Sequence, residues 1–114
     1  VEALSANSSV ITCLANDTGY ENIFSKQIEA KGKKDDMLIC FSGSGNSMNI
    51  INAIEQAKKL EIKTFGVFGY TGGKAAKIVD DFIHVNINDM QISEDMQMII
   101  MHMCVRNIMS NIKK

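Results

Sequence analysis

Apolar and polar residues fall in blocks along this chain, and most blocks have a readable period. Residues 37–41 form a continuous apolar run of Met37, Leu38, Ile39, Cys40 and Phe41. Such a run suits a strand buried on both faces of a sheet. Residues 62–68 predict a second buried strand, and residues 82–85 predict a third strand. Between the first two, Ile50, Ile51, Ile54, Ala57 and Leu60 make one stripe, which predicts an amphipathic helix over 47–60. Upstream, residues 1–4 read as the tail of a strand, and 8–15 as a short helix with Ser8 or Ser9 as N-cap. Residues 16–19 carry loop chemistry. Residues 21–30 place Ile23, Phe24, Gln27 and Ile28 at helical spacing, and Gly32 stops that helix. Downstream, 69–73 predict a turn and 74–79 a short helix. From about 90 to 112 a long helix carries Ile92, Met96, Ile99, Ile100, Met103 and Ile108.

Strands alternating with helices imply a parallel sheet covered by helices on both faces, with ligands at the carboxyl ends of the strands. The 114 residues amount to one domain. At 46% apolar and 22% charged, the composition is that of an ordinary globular protein. A net charge of −1 argues against a general nucleic-acid binder. The basic cluster Lys31, Lys33 and Lys34 runs into Asp35 and Asp36 and reads as a solvated turn. No stretch approaches ~18 consecutive apolar residues, so no membrane span is expected. Cys13, Cys40 and Cys104 are too scattered for a disulfide framework or a zinc ribbon, and reduced thiols fit a cytoplasmic protein. Cys40, inside an apolar run, reads as a small core residue. The six methionines of the last helix suggest core and subunit contact, because that helix is apolar around much of its circumference. The chain opens on Val1, with neither the basic start of a signal peptide nor a natural initiator.

The chemistry concentrates in Ser42-Gly43-Ser44-Gly45-Asn46-Ser47, between a predicted buried strand and a predicted helix. Amide groups at a helix N-terminus are unpaired and carry partial positive charge, so an anion satisfies them. Gly43 and Gly45 let the backbone approach a ligand, and Ser42, Ser44 and Ser47 add hydroxyl donors. The bland alternative is a plain capped helix. No Gly-Lys-[Ser/Thr] follows, so this is not a Walker loop, and the glycine spacing is not that of a dinucleotide fingerprint. A phosphorylated small molecule is the expected ligand.

The run from Phe41 to Ser47, then Asn49-Ile50-Ile51-Asn52-Ala53-Ile54, then Gly69 to Lys74, resembles the sugar isomerase (SIS) domain family, and within it the phosphoheptose isomerase branch. Ala15-Asn16-Asp17-Thr18-Gly19 and Phe24-Ser25 followed by Gln27 also match that branch. The resemblance spans essentially the whole of 1–114. It implies a single SIS domain of the α/β class, a three-layer αβα sandwich with a mostly parallel sheet, flavodoxin-like or Rossmann-like. It implies aldose–ketose isomerisation of a sugar phosphate such as sedoheptulose 7-phosphate, feeding lipopolysaccharide or capsule precursors. It further implies a cytoplasmic homotetramer with sites at subunit interfaces, and zinc as the metal.

By position, Ser42, Gly43, Ser44 and Ser47 would hold the phosphate, and Asn16 and Asp17 would contact the sugar. Taken alone, Asn16-Asp17 reads as an Asx turn. His102 falls where the family has its metal-binding, catalytic histidine, and Glu94 where it usually has glutamine. Without the resemblance, a histidine in an apolar helix reads as a satisfied core residue. Two departures matter. The family usually has threonine where Gly43 stands, so one hydroxyl donor is absent. The family also begins with a helical segment and a first strand bearing a Gly-Asn-Gly-Gly-Ser loop, a second metal histidine and the catalytic glutamate. Nothing here matches that segment, so the chain is expected to correspond to the C-terminal two-thirds of such a protein and to be inactive alone.

Isomerisation through an enediol needs a base near the carbons, an acid near the oxygen and a grip on the phosphate. His102 is the first acid/base or ligand candidate and Glu94 the second. On one straight helix, eight residues separate them by ~12 Å of rise and ~80° of rotation. Sharing a metal would then need a helix start after Glu94, a bend, or two chains, and the last is the preferred arrangement. Two other classes stay open: a non-catalytic phosphosugar-binding regulator, and a protein that binds the bacterial replication initiator. His102 separates the enzyme from the last, because that relative lacks a histidine there.

Overall fold

The computed structural model describes residues 1–112. Three strands, β1 (Met37–Ser42), β2 (Lys63–Phe68) and β3 (Asp81–His84), form a parallel sheet in the order β1-β2-β3. Their register aligns Ser42 with Phe68 and Phe68 with His84. All three carboxyl ends therefore meet one rim, and the loops that follow them are neighbours in space. This is the α/β architecture that the strand–helix alternation predicts.

Helix α1 (Ser8–Thr18) precedes the sheet and starts on Asn7, whose side chain accepts the Val10 amide at 3.1 Å. The N-cap is thus Asn7, not Ser8 or Ser9. The helix also runs through Asn16 and Asp17, which the sequence assigns to a loop, and it ends at Gly19 with φ +89°. Residues 1–4 form no strand. The helix expected over 21–30 is split into a 3-10 turn, Tyr20–Asn22, and α2 (Ser25–Lys31). Side-chain bonds explain the break: Asn22 Nδ2 donates to the Thr18 carbonyl at 2.7 Å and Ser25 Oγ to the Asn22 carbonyl at 3.2 Å. Such local bonds compete with the helical ladder.

Helix α3 (Met48–Lys59) crosses from β1 to β2 and buries Ile51, Ala53, Ile54 and Ala57. Lys58 and Lys59 in its last turn complement the helix dipole. Ile28 of α2 joins Ala53, Ala57 and Ile62 in one cluster, and Ile54 joins Cys40, Phe68 and Ala75 in a second. A 3-10 turn at Ala75–Lys77 connects β2 to β3 in place of the short helix expected over 74–79. The Asp80 carboxylate ties the start of β3 to β2 by accepting from Thr64 N and Oγ1, both at 2.8 Å. Those bonds, the backbone one first, hold its pKa below the ordinary carboxylate value.

Helix α4 (Met90–Ile112) packs its first turns against β2. Val67 and Phe68 point to opposite faces and both are buried, so β2 is covered on both sides. Strand β1 departs from the expected burial. Met37, Ile39 and Phe41 are 62%, 43% and 37% exposed, while Cys40 and Ser42 are buried. It is an edge strand with one open face among the described residues, and so it alternates. Among the described residues no helix is long and apolar enough to cross a membrane.

Burial pushes the Cys40 thiol up to about 12, and the bond from Cys13 to Asp17 followed by that carboxylate's charge raises Cys13 as well. A thiol titration at pH 8 should therefore label exposed Cys104 first, Cys13 more slowly, and Cys40 only on unfolding. Because the Cys40 pKa is raised in the folded state, its contribution to stability is complete below pH 9 and is lost as pH rises toward 12. Ile54 is fully buried between α3 and the sheet, so Ile54→Ala should cost about 2–5 kcal/mol in urea denaturation.

Candidate anion and sugar site

The turn from Ser42 to Ser47 links β1 to α3 at the common rim. Gly45 makes it possible, with φ at +65°. A Cβ on Gly45 would overlap the Gly72 carbonyl oxygen, so the second glycine turn lies directly against the first. Hydrogen bonds lock the two together. Ala75 N donates to the Gly45 carbonyl at 2.9 Å, Lys74 N to Asn46 Oδ1 at 3.1 Å, and Gly69 N to the Ser42 carbonyl at 3.3 Å. The third loop joins in, because Tyr70 N donates to the Ile87 carbonyl at 3.1 Å. His84 Nε2 also lies 2.7 Å from the Tyr70 carbonyl.

Within the first turn, the serines differ. Ser42 is buried and its Oγ accepts the Gly45 amide at 3.1 Å, so it braces the turn from inside. Ser44 Oγ accepts the Asn46 amide at 3.2 Å, and Asn46 Nδ2 donates back to the Ser44 carbonyl. Ser47 is the N-cap residue of α3 but makes no side-chain cap bond, and it is exposed. Its hydroxyl is free for a ligand. The amides of Met48 and Asn49 have no acceptor among the described residues. Two unpaired N–H groups, an uncommitted hydroxyl and a helix of 12 residues behind them make an anion cradle. Asn46, by contrast, is engaged at both ends of its amide and holds the loops rather than a ligand.

Beside the cradle, a cleft of about 570 Å³ is lined by Tyr20, Glu21, Ser47, Met48 and Asn49. Asn49 Oδ1 is buried without a hydrogen-bond partner among the described residues. Asn16 and Asp17 lie just before this cleft, exposed on the last turn of α1, but do not line it. Asn16 Nδ2 donates to Asp17 Oδ1 at 2.8 Å. Tyr20 and Glu21 carried no signal in the sequence, since only the docking of the 3-10 turn on α3 brings them to Ser47. A cleft of about 380 Å³ between residues 2–10 and α2 contains nothing from the turn.

Glu94 and His102 are not brought together. Helix α4 begins at Met90, before Glu94, so both lie on one helix, ~12 Å apart along its axis and ~80° around it. Both are exposed. Among the described residues no three of His, Cys, Asp and Glu gather. The donors among the described residues of one copy therefore do not fit a metal ion, which takes three or four converging protein ligands.

A family model described as SIS domain matches residues 2–69, from the approach to α1 through the end of β2 and so across the whole cradle. A phosphoheptose isomerase of Helicobacter pylori (strain Shi470) is 38% identical over 112 residues, covering 96% of this chain and 58% of the relative. One from Fusobacterium nucleatum is 42% identical over 104 residues, covering 90% and 53%. The solved phosphoheptose isomerase of Neisseria gonorrhoeae superposes with a TM-score of 0.92 at 30% identity, over 96% of this chain and 61% of that one. The Francisella tularensis enzyme gives 0.84 at 33%, over 88% and 54%. The chain thus spans little more than half the length of the relatives it matches.

The cradle's geometry carries its own test. Gly45→Ala needs a strained φ and space that the Gly72 carbonyl already fills. It should lower the melting temperature by several degrees, with a cost of roughly 1–3 kcal/mol. The amide resonances of both glycine turns should shift together in an NMR spectrum.

Proposed function

Since the chain belongs to the SIS domain family, we propose that it binds a phosphorylated sugar and forms the phosphate-holding part of an aldose–ketose isomerase of the phosphoheptose type. One observation supports this above the others: the cradle at Ser44, Ser47, Met48 and Asn49, pinned against the second glycine turn. A phosphate there meets main-chain N–H groups and the positive end of the α3 dipole, worth about 0.3–2 kcal/mol, plus hydroxyl hydrogen bonds. The grip places the remote end of the sugar so that its carbons reach acid and base groups.

In this reading His102 and Glu94 serve as acid/base groups. A proton leaves one carbon to a base, an enediol forms, and the proton returns to the neighbouring carbon. With ~12 Å between them along α4, they do not serve one sugar from the same chain. A homo-oligomer, a tetramer with sites at subunit interfaces, would bring groups from different copies together. The exposed Met98, Ile99, Met103, Val105, Ile108 and Met109 of α4 support such contacts. Zinc would need ligands from beyond one copy of these residues, and no step of this mechanism runs through it. A cytoplasmic setting and a role in lipopolysaccharide or capsule precursor supply follow from the same reading.

The separation of Glu94 from His102 also favours a second reading, a phosphosugar-binding module that does no chemistry by itself. Calorimetry with sedoheptulose 7-phosphate tests both. The purified 114-residue chain should bind it without isomerising it. Ser44→Ala and Ser47→Ala should each weaken binding about tenfold, as expected for hydrogen bonds to a charged group. Absence of binding would refute the assignment, and turnover by the purified chain would refute the reading as a module that does no chemistry by itself.

A further inference from the structure

Helix α4 meets the strand ends through one line of residues: Met90, Ser93 and Gln97. These share a face of the helix by their spacing. Ser93 is fully buried, its Oγ donating to the Asp89 carbonyl at 2.7 Å, and it occupies the space that a side chain on Gly69 would need. Gln97 Nε2 donates to the Val67 carbonyl at 3.3 Å. Asp89 caps the helix by accepting the Ile92 amide at 3.0 Å. Met90 stands against Gly43. A Cβ built there would overlap its Sδ, and its Cε lies 3.0 Å from the same point.

The thioether of Met90 and any side chain at 43 therefore compete for one volume, at the start of the turn that leads to the cradle. The consequence is chemical as well as steric. A side chain at 43 can bring a hydrogen-bond donor to the ligand, whereas a thioether brings polarizable apolar surface and no donor. Met90 also comes from the helix that bears Glu94, four residues further on, so one helix carries both residues.

Resting on the sugar-phosphate reading, we propose that Met90 is a positioning residue for the ligand. It walls the phosphate end of the cradle in place of a side chain at 43 and couples that end to α4. Phosphate is then held by main-chain N–H groups and by Ser44 and Ser47, and a side chain at 43 must displace the flexible end of Met90 from that place.

The test is a double-mutant cycle read as affinity for sedoheptulose 7-phosphate, with melting temperature recorded in parallel. Gly43→Thr with Met90 in place should weaken binding about tenfold, and Met90→Ala about threefold. The double variant should return to within about threefold of the wild type or bind more tightly. Met90→Leu, which keeps the volume, should bind like the wild type, a rescue that loss of folded protein would not produce. Should Gly43→Thr fail to fold, Gly43→Ala with and without Met90→Ala makes the same comparison. Independent effects at 43 and 90, or unchanged affinity in Gly43→Thr, would overturn this proposal alone. A wild-type chain that binds no sugar phosphate would overturn the functional reading and this proposal together.

Discussion

Gly45 meets the carbonyl of Gly72 with no room for a side chain between them, and the rim at the carboxyl ends of the strands is organised around that contact. The parallel register brings the ends of β1 and β2 to one level, so the two glycine turns must share a small space. They do so by putting backbone against backbone. Once they touch, the bonds from Ala75 N to the Gly45 carbonyl and from Lys74 N to Asn46 Oδ1 hold the first turn in shape. A cradle built of main-chain amides works only if those amides are held before a ligand arrives. The second turn does the holding, and the amides of Met48 and Asn49 behind the serine turn stay without an acceptor among the described residues.

The same rim receives the first turn of α4, through Met90 on Gly43 and Ser93 on Gly69. Glycines at the ends of both strands thus serve two packing partners, each other's loops and the incoming helix. Further along, α4 leaves the sheet, and exposed apolar residues follow one another to Ile112. His102 lies on that outlying half and Glu94 on the packed half. The helix is thereby anchored at the glycine turns and open at the other end. That layout suits a domain spanning little more than half of its relatives' length.

Much of this was legible before any coordinates. The stripe from Ile50 to Ala57 has the period of a helix, and the apolar run at 37–41 is too short for a helix and fits a strand by its length. The serine-glycine turn was legible for a local reason too, because it sits between them. What misled was competition among short-range bonds. Asn16 and Asp17 look like loop residues, yet Thr18 Oγ1 bonds back to the Leu14 carbonyl at 2.7 Å and the helix continues past them. Asn22 and Ser25 interrupt a segment whose apolar spacing is helical. The open face of β1 was hidden for another reason. A continuous apolar run states that a strand can be covered, not that the described residues cover it.

The serine-glycine turn and the crossover helix behind it follow from the sequence by itself, because each depends on residue types within a few positions of one another, and the parallel sheet follows from the alternation of strands and helices. The site as an object does not. Lys74 reaches Asn46, Met90 reaches Gly43, and Tyr20 reaches Ser47 across 27 to 47 residues of chain. No local pattern encodes such distances. Only the folded sheet decides which loops share a rim, which serine is buried as a brace, and how far Glu94 and His102 stand apart. The physical reason is that hydrophobic periodicity reports which face of an element is covered, while the identity of the covering residue is set by where the whole chain packs.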